Sequence, residues 1–150
     1  ASTLIKILND EICETTTRGM FVTMIVGVYD KNKNELLLSN AGHEPPLIFS
    51  KDGNFKTIDE AGPPLGIAPN FKFTEQTISF KESSMYIFTD GITEMKNNNG
   101  EMLGQEGFQD YIKKYQSTPN NKRLQKMIED LIGSGRIQKD DLTIVTVDGK

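Results

Sequence analysis

Short runs of β-branched and aromatic residues, separated by compact polar turns, constrain this chain more than any other feature. Phe21-Val22-Thr23-Met24-Ile25-Val26-Gly27-Val28-Tyr29 is followed by the polar Asp30-Lys31-Asn32-Lys33-Asn34 and then by Glu35-Leu36-Leu37-Leu38-Ser39, the pattern of a β-hairpin. Leu47 to Ser50 and Phe55 to Ile58 flank Lys51-Asp52-Gly53-Asn54, where Asp-Gly is a strong hairpin-turn signal. Phe71, Phe73, Thr77-Ile78 and Phe80 suggest a further extended segment. Met85-Tyr86-Ile87-Phe88-Thr89 reads as a strand buried on both faces and ended by Asp90-Gly91, while Leu142 to Val147 is a β-branched strand immediately preceded by Asp140-Asp141. Strands joined by turns this short pair largely antiparallel.

Helical periodicity occupies the rest. Leu4, Ile5, Leu8 and Ile12 share a helix face, with the polar Lys6, Asn9 and Asp10 elsewhere around it, which predicts a first helix over about Thr3 to Glu14. Phe108, Tyr111, Ile112 and Tyr115 recur with helical spacing, and core packing explains them better than a binding stripe. Thr118-Pro119 offers an N-cap followed by proline at the first helical position, and Leu124, Met127, Ile128, Leu131 and Ile132 mark another apolar face that Gly133-Ser134-Gly135 stops. Lys113-Lys114 and Lys122-Arg123 read as solvated helix faces. Between the strands, the proline-containing stretches 40–46 and 62–69 read as ordered loops packed on the body. The class is therefore α+β, with helices packed on a largely antiparallel sheet.

At 150 residues one domain is expected. A net charge of -4 argues against the clustered basic surface that nucleic acid requires, so no nucleic-acid partner is expected. Cys13 is the only cysteine, which excludes an intramolecular disulfide and a Cys-rich zinc site and leaves Cys13 as a small buried side chain on the first helix. No apolar run approaches a membrane span and no secretion signal opens the chain, so the expected location is the cytoplasm, without membrane contact by this domain.

Chemistry concentrates at two acidic strand ends. If the strand before Asp90 and the strand after Asp140-Asp141 lie antiparallel side by side, their carboxylates meet at one sheet edge. Carboxylates gathered without Cys ligands suit hard cations such as Mg²⁺ or Mn²⁺, and two such ions support phosphate-ester hydrolysis. Spacing alone leaves a plainer alternative open, in which Asp90-Gly91 is a turn and Asp140-Asp141 a solvated strand entry.

Five motifs go further. Phe21-Val22-Thr23-Met24, Asn40-Ala41-Gly42-His43-Glu44-Pro45-Pro46-Leu47, Pro64-Leu65-Gly66, Thr89-Asp90-Gly91-Ile92-Thr93-Glu94 and Asp140-Asp141-Leu142-Thr143 occur in an order that resembles the catalytic domain of bacterial sporulation stage II E-type phosphatases. These are relatives of the metal-dependent type 2C serine/threonine phosphatases, and the resemblance covers nearly the whole chain.

The resemblance implies an α-β-β-α sandwich of two antiparallel sheets between helical layers, forming a single phosphatase domain over 1–150. It implies hydrolysis of phosphoserine or phosphothreonine on a phosphorylated signalling protein, such as an anti-sigma-factor antagonist. Asp90 and Asp140 match metal ligands, and the complete domain would hold two Mn²⁺ or Mg²⁺ ions. Asp141 is expected to orient Asp140 or bound water, and Gly91 to let the backbone turn beside the site where a side chain would obstruct it. Thr93 and Glu94 match the pattern and receive no role.

His43, the only histidine, could act as acid, base or ligand, or its ring could simply hydrogen-bond within the Ala41-Gly42 turn or the proline loop. Members of the family also carry an upstream strand pair with a Gly-Asp motif and a further metal-binding aspartate. Their absence before Ala1 leads to the expectation of a domain truncated at its N-terminus and possessing weak metal affinity. Its uncovered sheet edges would be open to homodimerisation or strand exchange. The alternative function is a phosphatase-like interaction module that binds a signalling protein without hydrolysis; a purely structural domain would leave the ordered motifs unexplained.

Overall fold

The computed structural model describes residues 1–16, 19–59 and 61–149. In chain order the elements are α1 (Ser2–Thr15), β1 (Met24–Asp30), β2 (Glu35–Ala41), β3 (Leu47–Ser50), β4 (Phe55–Thr57), β5 (Gln76–Ser79), β6 (Ser83–Phe88), α2 (Asp90–Thr93), α3 (Gly104–Tyr115), α4 (Asn120–Gly133) and β7 (Ile144–Asp148). The chain is α+β, with two sheets of order β1-β2-β5 and β4-β3-β6-β7. Contacts divide it into two compact units, one comprising Ala1–Pro45, Thr57–Ser83 and Asp148–Lys150, the other Pro46–Lys56 and Ser84–Val147.

In the first unit β1 and β2 pair antiparallel from Met24↔Ala41 to Asp30↔Glu35, and β2 pairs antiparallel with β5 from Glu35↔Ser79 to Leu38↔Gln76. The predicted first strand loses its opening residues because Val22 bonds elsewhere: its N–H donates to Leu65 C=O at 3.0 Å and its C=O accepts from Leu65 N–H at 2.8 Å. The second strand continues past Ser39 to Ala41, since the first proline comes only at Pro45.

Asn9, grouped by sequence with the solvated side of the first helix, is fully buried. It sits between Ile5 and Ile12 at i+4 and i−3, within the apolar stripe. Its Oδ1 accepts Gly66 N–H at 3.1 Å and its Nδ2 donates to Ala68 C=O at 2.9 Å, bonding backbone groups of an irregular loop that lies outside the sheets. Cys13 is half-buried, less enclosed than expected, with its Sγ 3.8 Å from Asn9 Oδ1.

Three of the sequence motifs meet here. Beyond the Val22–Leu65 bridge, Ala61 N–H donates to Asn40 C=O at 2.7 Å. Gly42 has φ +67°, and a Cβ there would lie 2.5 Å from the Pro64 ring. Glycine answers both demands.

The second unit is built around Leu47, Phe49, Tyr86, Phe88, Ile92, Phe108, Ile112, Met127 and Leu131. Tyr111 and Tyr115 pack partly buried against this cluster, so the α3 periodicity does mark core. The β3–β4 turn forms as Asp-Gly predicts, with Gly53 N–H donating to Ser50 C=O at 2.9 Å. Pro119, one residue later than expected for a cap, is the N-cap of α4. Its carbonyl accepts from Lys122 and Arg123 N–H at 2.8 and 3.0 Å.

Arg123 corrects the solvated reading of Lys122-Arg123, for it is only 7% exposed. Its Nη1 donates to Tyr86 Oη at 3.1 Å and Ser84 Oγ at 3.2 Å, because position 123 shares the inner face of α4 with Met127 and Leu131. Ile132, assigned to that face by periodicity, is instead exposed. Lys114 bridges α3 to α4 through Asp130 at 2.6 Å, and this ammonium holds the Asp130 carboxyl below its ordinary range.

Asn9→Ala should lower the unfolding free energy by about 0.5–1.5 kcal/mol in urea denaturation, because the partly buried backbone groups of Gly66 and Ala68 lose their partner. A change confined to a few tenths of a kcal/mol would show that water replaces the amide there.

Candidate metal centre

The order of the second sheet makes β6 and β7 neighbours, and the acidic segments lie where β6 ends and the chain approaches β7. β6 gives way at Thr89 to the single-turn helix α2, with Asp90 at its first position. The residues around Asp90 are anchored: Phe88 and Ile92 are buried in the core cluster, while Asp90 itself is exposed. A strand end, an exposed acid and a buried isoleucine thus follow from the local order Phe88-Thr89-Asp90-Gly91-Ile92.

Opposite it, β7 starts at Ile144 rather than at Leu142, for an identifiable reason. Thr89 N–H donates to Thr143 C=O at 3.2 Å, but Thr143 N–H donates to the side-chain Oγ1 of Thr89 at 3.1 Å. A hydroxyl has replaced the main-chain acceptor that a regular ladder would supply. The same hydroxyl donates to Asp141 C=O at 3.1 Å. Asp140 and Asp141 therefore belong to a loop tied to the end of β6, and both are exposed.

Within that loop Asp141 N–H donates to Asp140 Oδ1 at 2.7 Å, and Gln138 Nε2 donates to Asp140 C=O at 2.9 Å. The first bond restrains the Asp140 carboxylate from its own backbone. Gln138, Lys139, Asp140 and Asp141, all exposed, line an open surface depression of about 300 Å³.

Gly91 shows why this approach is close. A Cβ on it would lie 2.4 Å from Asp141 O and 3.4 Å from Asp140 O. Its φ falls outside the left-handed region, so the turn itself does not demand glycine. What matters is the obstruction a side chain would cause.

The structure thus brings together the segments carrying Asp90, Gly91, Asp140 and Asp141. His43 lies in the other unit, where its Nδ1 is 3.0 Å from Glu44 C=O, a hydrogen bond that uses the Nδ1–H tautomer. Asn40 brackets the same residue, accepting His43 N–H on Oδ1 and donating from Nδ2 to His43 C=O, both at 2.9 Å. These bonds support its structural alternative.

The donor set fits a hard cation in kind: exposed carboxylate oxygens, with neither thiolate nor imidazole in the loop. Among the described residues no group of three or more His, Cys, Asp or Glu is gathered so as to hold a metal ion. Two carboxylates would thus give only part of a coordination shell. Thr89 was missed from sequence as anything but a strand end, although its place beside Asp90 in the quoted motif was the available signal.

The family model described as Stage II sporulation protein E (SpoIIE) matches residues 1–150. This chain belongs to the SpoIIE family. It is 31% identical over 147 residues to Protein IcfG of Synechocystis, covering 95% of this chain and 23% of that protein. It is 26% identical over 149 residues to the phosphoserine phosphatase RsbU of Bacillus subtilis, covering 97% of this chain and 44% of RsbU. The chain therefore spans less than half the length of these relatives. Its fold matches the phosphatase domain of the cell fate determinant SpoIIE from Bacillus subtilis, in a manganese-presoaked structure, with a TM-score of 0.67 at 18% identity over 97% of this chain and 64% of that one.

Gly91→Ala should destabilise the protein by about 1–3 kcal/mol, since the added methyl meets a backbone oxygen rather than a side chain that can swing away. Gly133→Ala, with nothing within 4 Å of the added Cβ, should be neutral or stabilising by up to about 1 kcal/mol. Equal effects of the two substitutions in thermal unfolding would contradict the close approach.

Proposed function

We propose that this SpoIIE-family chain is part of a metal-dependent protein serine/threonine phosphatase domain in which Asp90 and Asp140 are metal ligands. The observation that carries this reading is the approach of the Asp140-Asp141 loop to Thr89 and Gly91, which sets an exposed carboxylate on each side of one backbone junction. Kinship with a phosphoserine phosphatase supports the reaction class.

The roles follow from charge and position. Asp90 and Asp140 supply anionic oxygens to Mn²⁺ or Mg²⁺, two ions in the complete domain. Asp141 restrains Asp140 through its amide, and Gly91 leaves room for the Asp141 carbonyl. A phosphate dianion would be repelled by bare carboxylates. The bound cations supply the neutralising charge and the acidification of water that phosphate-ester hydrolysis needs.

Asp90 and Asp140 would leave part of a hard cation's oxygen shell to be completed by water and by a further aspartate on the upstream strand pair that the family resemblance implies. The two units described above would then be parts of one phosphatase domain. The manganese soak of the SpoIIE relative supports the choice of cation.

The substrate in this proposal is phosphoserine or phosphothreonine on a regulatory signalling protein, such as an anti-sigma-factor antagonist. Among the described residues no helix is long and apolar enough to cross a membrane, which is compatible with work in the cytoplasm. β1 and β5 are the outer strands of their sheet, and an outer strand offers backbone groups for pairing with a second copy of the chain.

Asp90→Asn and Asp140→Asn should each weaken Mn²⁺ binding about tenfold or more by calorimetry, since each removes one ligand charge. A chain extended upstream should dephosphorylate a phosphoserine peptide with Mn²⁺ and lose that activity with either substitution. Absence of activity from both lengths, with the peptide still bound, would favour the non-catalytic interaction module.

A further inference from the structure

The Thr89 side chain does something that neither carboxylate does. Its hydroxyl has one proton to give and lone pairs to accept with, and both capacities are spent on the same loop: it donates to Asp141 C=O and accepts from Thr143 N–H, each at 3.1 Å. Asp141 is thereby held at both ends. Its carbonyl is fixed by Thr89, while its amide holds Asp140 Oδ1 at 2.7 Å. A path of three hydrogen-bonding groups thus runs from the residue next to Asp90 to the carboxylate of Asp140.

A purely steric account does not require this. Gly91 admits the Asp141 carbonyl but exerts no pull on it, and the backbone bond from Thr89 N–H to Thr143 C=O would survive loss of the hydroxyl. The side chain adds a directional tie, and it adds it at the point where the regular ladder stops. Valine, with the same branched shape, would keep the packing and lose the tie. Serine would keep the tie.

We propose that Thr89 is a positioning residue for the metal pair, its hydroxyl setting the distance and orientation of Asp140 relative to Asp90 by way of Asp141. This role rests on Asp90 and Asp140 holding the cation, as proposed above. Thr89 touches neither cation nor substrate in this scheme. Groups that orient metal ligands change affinity by roughly 10–100-fold when removed.

The test compares the unaltered chain with Thr89→Val, Thr89→Ser and Asp90→Asn, using two readouts. The first, amide hydrogen exchange at Thr143 without metal, reports the tie itself; the second, Mn²⁺ calorimetry, reports its consequence. Thr89→Val should speed Thr143 exchange about tenfold or more, as expected for loss of a local restraint, and weaken Mn²⁺ about tenfold. Thr89→Ser should stay within about threefold on both.

Should Thr89→Val fail to fold, Thr89→Ala removes the same hydroxyl without branched bulk and carries the same expectation. Unchanged Mn²⁺ affinity in the hydroxyl-free variant, or equal loss with serine, overturns the positioning role while a weakened Asp90→Asn leaves the metal site standing. Mn²⁺ binding unaffected by Asp90→Asn, or absent from the unaltered chain, overturns the metal site and the role of Thr89 with it.

Discussion

The carbonyl of Asp141 lodged against Gly91 and Thr89 is the contact on which the acidic site depends. It requires no side chain at position 91 and rewards a hydroxyl at 89, so the threonine and glycine on either side of Asp90 follow from one close approach. The rim is made firm from behind: Phe88 and Ile92, on either side of these residues, are both buried in the core of their unit. Asp90 is thus exposed on a short stretch whose flanking Phe88 and Ile92 are packed in the core, as the ligand role proposed for it requires.

The other unit solves a different problem with similar means. Its loop over 62–69 makes few ladder bonds, yet must lie against a helix and a strand. Asn9 enters the apolar face of α1 to bond the loop backbone, Val22 bridges Leu65, and Gly42 gives way to the Pro64 ring. Motifs distant in sequence are there because their backbones touch, and the demands are steric and hydrogen-bonding ones. His43 belongs to this pattern through the bonds from its ring and backbone within its own loop.

The parts legible in the sequence were those governed by periodicity and turn chemistry. Both hairpins and the helices α1, α3 and α4 follow from apolar spacing and from Asp-Gly or polar turns, and the α+β class follows from them. Side chains that replace backbone partners were not legible. Thr89 takes the place of a main-chain acceptor and delays β7 by two residues; Pro119 rather than Thr118 occupies the α4 cap; Arg123 and Asn9 are polar by type and buried by position. Pattern reading assigns such residues to solvent because it weighs their polarity and not the bonds a particular neighbour offers. Asp90 and Asp140 stand out at their strand ends, whereas the tie between their segments exists only in the folded chain.

Membership of the SpoIIE family gives the acidic junction a chemical meaning under the proposed function, in which a divalent-ion site lies between Asp90 and Asp140. Titrating the isotopically labelled chain with Mn²⁺ while following amide line broadening tests this most directly. The account predicts that the amides of Asp90, Gly91, Asp140 and Asp141 broaden first and over the same range of Mn²⁺. Broadening that begins around Asp10 and Glu14, with residues 90 and 140 unaffected, would contradict it.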